Sequence, residues 1–171
     1  KKTLFIGIAL FALALSLRLY FFTFATDPNN PGAGWFGDSY HHWQIGYLTE
    51  EIGLHRGFLR VWDLKGMDLF WGLLHPLMLA SIFTITGNSS MWMVRAMTSV
   101  AGAISVVLIY LLGRKYFNEK VGIGAALFTA CCSVIIFNDA TGMVEPLGIP
   151  FLLVGIFYWP CKPFIAVLML G

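Results

Sequence analysis

Four long apolar runs dominate this chain, and they fix the solvent in which most of it can fold. The runs cover residues 3–24, 91–113, 121–137 and 142–159, and a fifth begins at Pro163. Each is close to the roughly 20 residues that a helix needs to cross the hydrocarbon core of a bilayer. Because backbone amides cannot stay unpaired in lipid, we expect each run to be a helix. The alternating strands of a transmembrane barrel do not occur in this sequence.

Composition agrees with this interpretation of the runs. The chain is 58% hydrophobic and 12% charged, whereas soluble domains carry about 25% charged residues, and its mean hydropathy is +0.75. We therefore predict an all-α integral membrane protein, a multi-span helical bundle in which residues 1–171 form a single transmembrane module. The fifth run is too short to span, so the module is expected to be incomplete. The net charge of +2 gives no indication of nucleic-acid binding.

The distribution of charge indicates how the runs cross the membrane. A further apolar stretch, residues 69–86, is interrupted by His75 and Pro76 and could either span or lie along the surface. If it lies along the surface, six cations share one side: Lys1, Lys2, Arg114, Lys115, Lys120 and Lys162. The positive-inside rule assigns that side to the cytoplasm. Residues 25–90 then form an outer loop with interfacial helices at about residues 39–54 and 69–86.

On this topology, eight of the nine acids lie on the outer side. They are Asp27, Asp38, Glu50, Glu51, Asp63, Asp68, Asp139 and Glu145, whereas Glu119 lies on the inner side. A short second outer loop, around residues 138–141, brings Asp139 and Glu145 to the level of the first loop. Acids from two separate loops can therefore meet at one face of the bundle. Ionisable side chains at that depth are functional candidates by default.

Asp38 is the first candidate for chemistry, because it lies in an aromatic and histidine-rich stretch at residues 35–43. A carboxylate there could be the general base that takes a proton from an acceptor hydroxyl. The alternative is that Asp38 or Ser39 simply caps the helix that follows. Asp38 could also share a metal with His41 or His42. Adjacent histidines point in different directions on a helix, so at most one of them would contribute.

The other acids and His75 each have a structural alternative. Asp139 and Glu145 could position an acceptor or a metal. Glu145, which precedes Pro146, could instead only favour the start of a helix. His75 could bind a phosphate oxygen, or it could be hydrogen-bonded in place on an apolar face.

Two arginines lie near the outer ends of their spans. Each could snorkel to the lipid headgroups, and each could instead offset the charge of a leaving phosphate, for which a guanidinium is well shaped. Snorkelling is the expectation for Arg18. Further cations of the first loop could attract an anionic lipid carrier: Arg56, Arg60 and Lys65. The adjacent Cys131 and Cys132 have no metal-ligand spacing and are interpreted as buried apolar filler.

The order of these features along the chain is distinctive. An N-terminal span is followed by Gly37, Asp38, Ser39 and Tyr40, and then by His75, Pro76 and Leu77. Gly87, the stretch 92–95 and the segment 111–117 follow around the second span. This order resembles the GT-C membrane glycosyltransferases, especially the branch of protein O-mannosyltransferases and aminoarabinose transferases. The resemblance covers residues 3 to about 159.

The resemblance implies a sugar donor linked to dolichyl or polyprenyl phosphate, used on the extracytoplasmic face. It implies that Asp38 is the catalytic base, that His75 lies close to the lipid phosphate, and that Glu145 matches the acid of the second outer loop. The candidate residues for binding the phosphate or substrate are His75, Arg95, Tyr40 and His41. If a divalent metal, Mg²⁺ or Mn²⁺, takes part, Asp38 and Glu145 are the residues that would hold it. The family often has a second acid where Ser39 stands and a second proline where Leu77 stands.

Our hypothesis is an inverting membrane glycosyltransferase, or its N-terminal module, with a protein, glycan or lipid acceptor. It favours the plasma membrane of a prokaryote over the endoplasmic reticulum. The alternative from another class is a non-catalytic subunit that scaffolds a larger membrane complex. A transporter is disfavoured, because it should show mid-membrane ionisable groups and broken helices, whereas the mid-span residues here are almost all apolar.

Overall fold

A computed structural model describes residues 1–25, 37–54 and 74–170. These residues form helices joined by short turns, with no strand among them, so the all-α prediction is confirmed for this part of the chain. The helices are α1 Lys2–Tyr20, α2 Asp38–Leu48, α3 Leu74–Thr86, α4 Met91–Tyr116, α5 Glu119–Cys131, α6 Ser133–Thr141, α7 Glu145–Tyr158 and α8 Pro163–Leu170. Helices α1 and α2 each continue into a wider π-helical turn, Phe21–Ala25 and Thr49–Leu54.

Helix α4 is the centre of the bundle and contacts α1, α5, α6 and α7. The core between α1, α4 and α5 is made largely of small side chains, with one large ring: Leu10, Ala14, Ala103, Val106, Tyr110, Ala126 and Ala130. Small residues let helix backbones approach closely, which is how helices associate when the surrounding lipid is as apolar as their own side chains.

The spans differ from those predicted. The helix from Lys2 to Phe24 and helix α4 are long and apolar enough to cross a membrane, and α5 with α6 could form a third span that bends by 60°. The bend lies at Cys132, whose backbone is extended (φ −67°, ψ 115°). The prediction of one helix over residues 121–137 was therefore wrong.

Cys131 and Cys132 do not lie in the core, contrary to the expectation. Cys131 and Cys161 are exposed, Cys132 is half-buried, and all three are free. The prediction took burial as the natural state of a small apolar side chain. In a bundle surrounded by lipid, an apolar side chain gains little from facing inward, because hydrocarbon solvates it equally well.

One end of the bundle collects cations. Lys2 forms an ion pair of 2.7 Å with Glu119, and Arg114 donates a hydrogen bond to Thr3 Oγ1. Lys115 donates to the carbonyl of Phe157 and lies 4.2 Å from the centroid of its ring. The basic segment between α4 and α5 therefore lies at the same end as the N-terminus, which is the arrangement that the charge pattern predicts.

A buried ion pair joins α1 to α6 toward the other end of the bundle. Arg18 Nε donates to Asp139 Oδ2 at 2.7 Å, and Nη2 of the same guanidinium lies 2.7 Å from that oxygen. Arg18 is 0% exposed and Asp139 is 2% exposed. The prediction that Arg18 snorkels to the headgroups was therefore wrong. Its charge is compensated inside the bundle, so its side chain does not need to reach water.

Helix α4 is shaped to admit this ion pair. A Cβ at Gly102 would lie 2.0 Å from Asp139 Oδ2 and 2.9 Å from Arg18 Nε. Thr98, one turn earlier on α4, donates its hydroxyl to the Asp139 carbonyl at 2.6 Å. Arg18 also donates from Nη1 to the carbonyl of Ala14 at 3.0 Å. Three helices therefore meet at this pair.

The α4–α5 contact also depends on glycine, which yields a prediction with an internal control. A Cβ at Gly122 would lie 2.6 Å from the Tyr110 carbonyl oxygen and 2.8 Å from the backbone nitrogen of Arg114. A Cβ at Gly124 would have no neighbour within 4 Å. We expect Gly122→Ala to lower the free energy of unfolding by about 1–3 kcal/mol. Gly124→Ala should be neutral or stabilising by up to about 1 kcal/mol. Thermal unfolding in detergent measures both, and equal effects would contradict this packing.

The ion pair predicts strongly non-additive substitutions. Arg18→Met or Asp139→Leu alone leaves one charge buried without its partner, which should cost about 3–5 kcal/mol of stability. The double variant Arg18→Met/Asp139→Leu removes both charges and should recover most of that loss. A double-mutant cycle followed by thermal unfolding checks this, and additive losses would show that the pair is not coupled.

Candidate functional site

The candidate site begins at the N-terminus of α2, where Gly37 sets the start of the helix. Gly37 is in the left-handed region (φ 84°) and is the N-cap residue, with no side-chain capping bond. Asp38 is thus the first helical residue, and neither its carboxylate nor the Ser39 hydroxyl caps the helix. Ser39 is buried, and its Oγ donates to Met143 Sδ at 3.6 Å. This contact joins the start of α2 to the turn between α6 and α7.

The two histidines that follow Asp38 face opposite directions. His41 is exposed, whereas His42 is 1% exposed. The His42 ring contacts the His75 ring edge-on, with centroids 5.1 Å apart and planes at 65°. His75 is itself 4% exposed, and its Nε2 has no hydrogen-bond partner within residues 1–25, 37–54 and 74–170. The histidine of the first loop that enters the site is therefore His42, which the sequence did not single out.

Close packing of α2 on α3 produces the histidine contact. A Cβ at Gly46 would lie 2.7 Å from two carbon atoms of Leu79, so glycine permits this approach. Below this contact lies an apolar cluster from α3 and α4 that consists of Leu79, Phe83, Met91 and Val94. Trp43 and Tyr47 of α2 pack against this cluster. The Trp43 Nε1 donates to the Ser89 carbonyl at 2.6 Å. The predicted interfacial helices thus pack on one another and on the start of α4.

The turn between α6 and α7 supplies the second part of the site. Residues 138–141 are helical, so the predicted loop there was wrong and the turn occupies residues 142–144. Gly142 has φ +88°, and a Cβ there would lie 3.5 Å from Arg95 Cγ. Glu145 is exposed at the start of α7, and its Oε2 accepts a hydrogen bond of 3.4 Å from Asn138 Nδ2. Arg95 is fully buried.

Charges from α2 and from the start of α7 both act on His42. Burial lowers the pKa of His42, while the charges of Glu145 and Asp38 act to raise it and His41 acts to lower it. Burial, with a smaller contribution from His42, lowers the pKa of His75 to about 3. The charges of Asp38 and Glu145 and the ring of His75 therefore all act on one buried imidazole.

The remaining predicted residues differ in their relation to this cluster. Tyr40 is 37% exposed, and its ring stacks on Trp43 with centroids 5.6 Å apart. Asp139 is held by Arg18, and it lines a cavity of about 270 Å³ with Gly102 and Asn138 among others. The first-loop cations Arg56, Arg60 and Lys65 lie outside the described residues.

The metal expectation finds no cluster to support it in the described ranges. Within them, no three side chains of His, Cys, Asp or Glu come together in a way that could hold an ion.

A spacing in the sequence could have identified His42. It follows Asp38 by four residues, and residues four apart are neighbours on a helix surface. The ion pair of Arg18, by contrast, joins residues 121 positions apart, so no local pattern could have revealed it.

The buried histidine predicts a pH-dependent stability. The folded pKa of His75 is about 3, against an ordinary value of 6.5, so between these values the unfolded chain binds a proton that the folded chain does not. Stability should then fall as pH decreases below about 6.5, by at most about 1.4 kcal/mol per pH unit for one group. His75→Asn should flatten part of this slope in thermal unfolding between pH 7 and 4. An unchanged slope would contradict the burial of a neutral imidazole.

The comparisons with known proteins agree with this architecture. A family model described as dolichyl-phosphate-mannose-protein mannosyltransferase matches residues 72–160, more than half of the 171 residues. The match includes His75, Arg95, Asp139 and Glu145, and Asp38 lies before it. No curated protein and no solved structure matches the chain. The match and the apolar helices indicate an integral membrane glycosyltransferase with a dolichyl-phosphate sugar donor. The chain belongs to the dolichyl-phosphate-mannose-protein mannosyltransferase family.

Proposed function

We propose that the protein transfers a sugar from a polyprenyl- or dolichyl-phosphate donor to an acceptor hydroxyl on the extracytoplasmic face of the membrane, with inversion at the sugar carbon. The observation that carries the proposal is the meeting of three elements at His42. Asp38 lies one helical turn before it, His75 is in ring contact with it, and the charge of Glu145 reaches it. A base and a phosphate-binding group at one boundary are what this displacement needs.

Asp38 is the proposed base. It is only partly buried at the first position of α2, and no capping bond occupies its carboxylate. As the acceptor oxygen attacks the sugar carbon, its proton passes to this carboxylate. Because the acceptor displaces the phosphate directly, the bond to the sugar forms on the face opposite the leaving group, which inverts the configuration.

His75 and Arg95 are the proposed partners of the phosphate. The Nε2 of His75 has no hydrogen-bond partner within the described ranges, so it has a hydrogen bond to offer a phosphate oxygen. Arg95 is buried beside Gly142, and a guanidinium matches phosphate geometry. Tyr40 and His41, exposed on the adjoining turn of α2, would contact the donor from the outer side.

Glu145 and Asp139 have separate proposed roles. Glu145 is exposed at the site and would orient the acceptor. Asp139 acts one step further away, because its carboxylate is engaged by Arg18. It holds α6, and the hydrogen bond from Asn138 then sets the position of the Glu145 side chain.

The test is the loss of the proposed base. Asp38→Asn in the intact protein should lower the rate of transfer from a polyprenyl-phosphate sugar by about 10²–10⁴-fold, the contribution of general base catalysis. The matched control is Glu51→Gln, which changes another acid of the same outer loop to its amide. Glu51 is exposed, so its variant should keep wild-type turnover.

Two outcomes separate the alternatives. Unchanged transfer by Asp38→Asn would show that Asp38 is not the base. No transfer by the wild-type protein with any polyprenyl-phosphate sugar would favour the non-catalytic scaffold.

A further inference from the structure

Two buried imidazoles meet where α2 packs on α3. The rings of His42 and His75 are in edge contact at 5.1 Å, and both side chains are more than nine-tenths buried. The Nε2 of His75 lacks a hydrogen-bond partner in the described part of the chain. A buried polar atom in that state costs about 1–3 kcal/mol. A structure that keeps this atom unpaired is suited to a ligand that completes it.

The imidazole contact continues directly from the proposed base. Asp38 and His42 are four residues apart on α2, so the carboxylate and the ring lie on the same helix face. The charge of Glu145, at the start of α7, acts on the same ring. Asp38, His42 and His75 therefore form a chain of titratable groups that runs from the acceptor side toward the phosphate side.

The charges around the pair favour neutral rings until an anion arrives. Burial lowers the pKa of both histidines, and His41 on α2 lowers that of His42 further. The carboxylates of Asp38 and Glu145 oppose this effect at His42. An anion bound beside the rings adds further negative charge, which favours the protonated form of the pair.

We propose that His42 and His75 act together as a proton-holding pair, which keeps the proton of the acceptor and binds the departing lipid phosphate with it. This rests on the proposed function. The acceptor O–H bond breaks and its oxygen bonds to the sugar carbon, while the bond from that carbon to the phosphate oxygen breaks and leaves its electrons on the phosphate. The proton passes from the acceptor to Asp38 and on to His42. The charged pair then faces the phosphate through His75, and the proton leaves with that product.

A non-titrating analogue isolates the pair from the phosphate's own titration. A short-chain prenyl sulfate keeps a single negative charge across the working pH range, so any pH dependence of its inhibition belongs to the protein. In the wild-type protein we expect inhibition to strengthen from pH 8 to pH 6, by at most roughly tenfold per pH unit for uptake of one proton. Calorimetry in buffers of different ionisation enthalpy should detect that proton directly.

Variants assign the effect to the pair. His42→Gln and His75→Gln should each abolish most of the pH dependence of inhibition. The effect of His42→Gln is expected although His75 is the residue that faces the anion. Glu51→Gln, an exposed acid of the segment that follows α2, is the control and should keep the wild-type pH dependence. Thermal unfolding verifies that each variant is folded. If His42→Gln does not fold, the proton uptake of the wild-type protein and of His75→Gln still decides.

The outcomes separate this proposal from the one on which it rests. Wild-type transfer with pH-independent sulfate inhibition and no proton uptake would overturn the pair and leave the transferase. Wild-type dependence retained by folded His42→Gln would also overturn it. Proton-coupled sulfate binding without any sugar transfer would overturn the proposed function and leave the pair as an anion site.

Discussion

The ion pair between Arg18 and Asp139 is the interaction on which the candidate site depends. Two unit charges are almost fully removed from solvent, and each is stable there only while the other is present. The pair therefore fixes the end of α1 against α6, with Gly102 leaving the room and Thr98 holding the backbone of Asp139. A few residues later the chain turns at Gly142 and presents Glu145. Loss of either partner of the ion pair would move that whole turn.

The surrounding lipid explains features that would be liabilities in water. Large apolar side chains are exposed on the outer surfaces of several helices, among them Phe5, Ile8, Phe128 and Phe164. A soluble monomer rarely exposes so much contiguous apolar surface, whereas in hydrocarbon the same side chains are solvated. The helices are then held by close approach at glycine and alanine, as between Gly113 and Gly122, and by the few buried polar contacts.

The site combines the two interfacial helices with the turn after α6. Helix α2 contributes Asp38 and His42, α3 contributes His75, and the start of α7 contributes Glu145. The matched family region begins just before α3, so the proposed base and His42 come from the part of the chain that precedes it.

The sequence by itself determined the apolar surroundings of the long helices, the helical class and the end of the bundle at which Lys2, Arg114 and Lys115 lie. These follow from run length, composition and charge order, which are local properties that lipid and water sort independently of tertiary packing. It also indicated Asp38, His75 and Glu145, because charged and titratable residues beside apolar runs are conspicuous.

Only the tertiary structure decided that Arg18 is a buried partner of Asp139, that the span after Val121 breaks at Cys132, and that His42 rather than His41 enters the site. The first depends on a contact between residues 121 positions apart. The second depends on the backbone conformation at Cys132, where α5 ends and α6 begins, and both of these helices pack against α4. The third depends on which face of α2 meets Leu79 at Gly46. The partner of a buried charge and the buried face of a helix are each set by two elements together. A pattern within one element therefore cannot specify them.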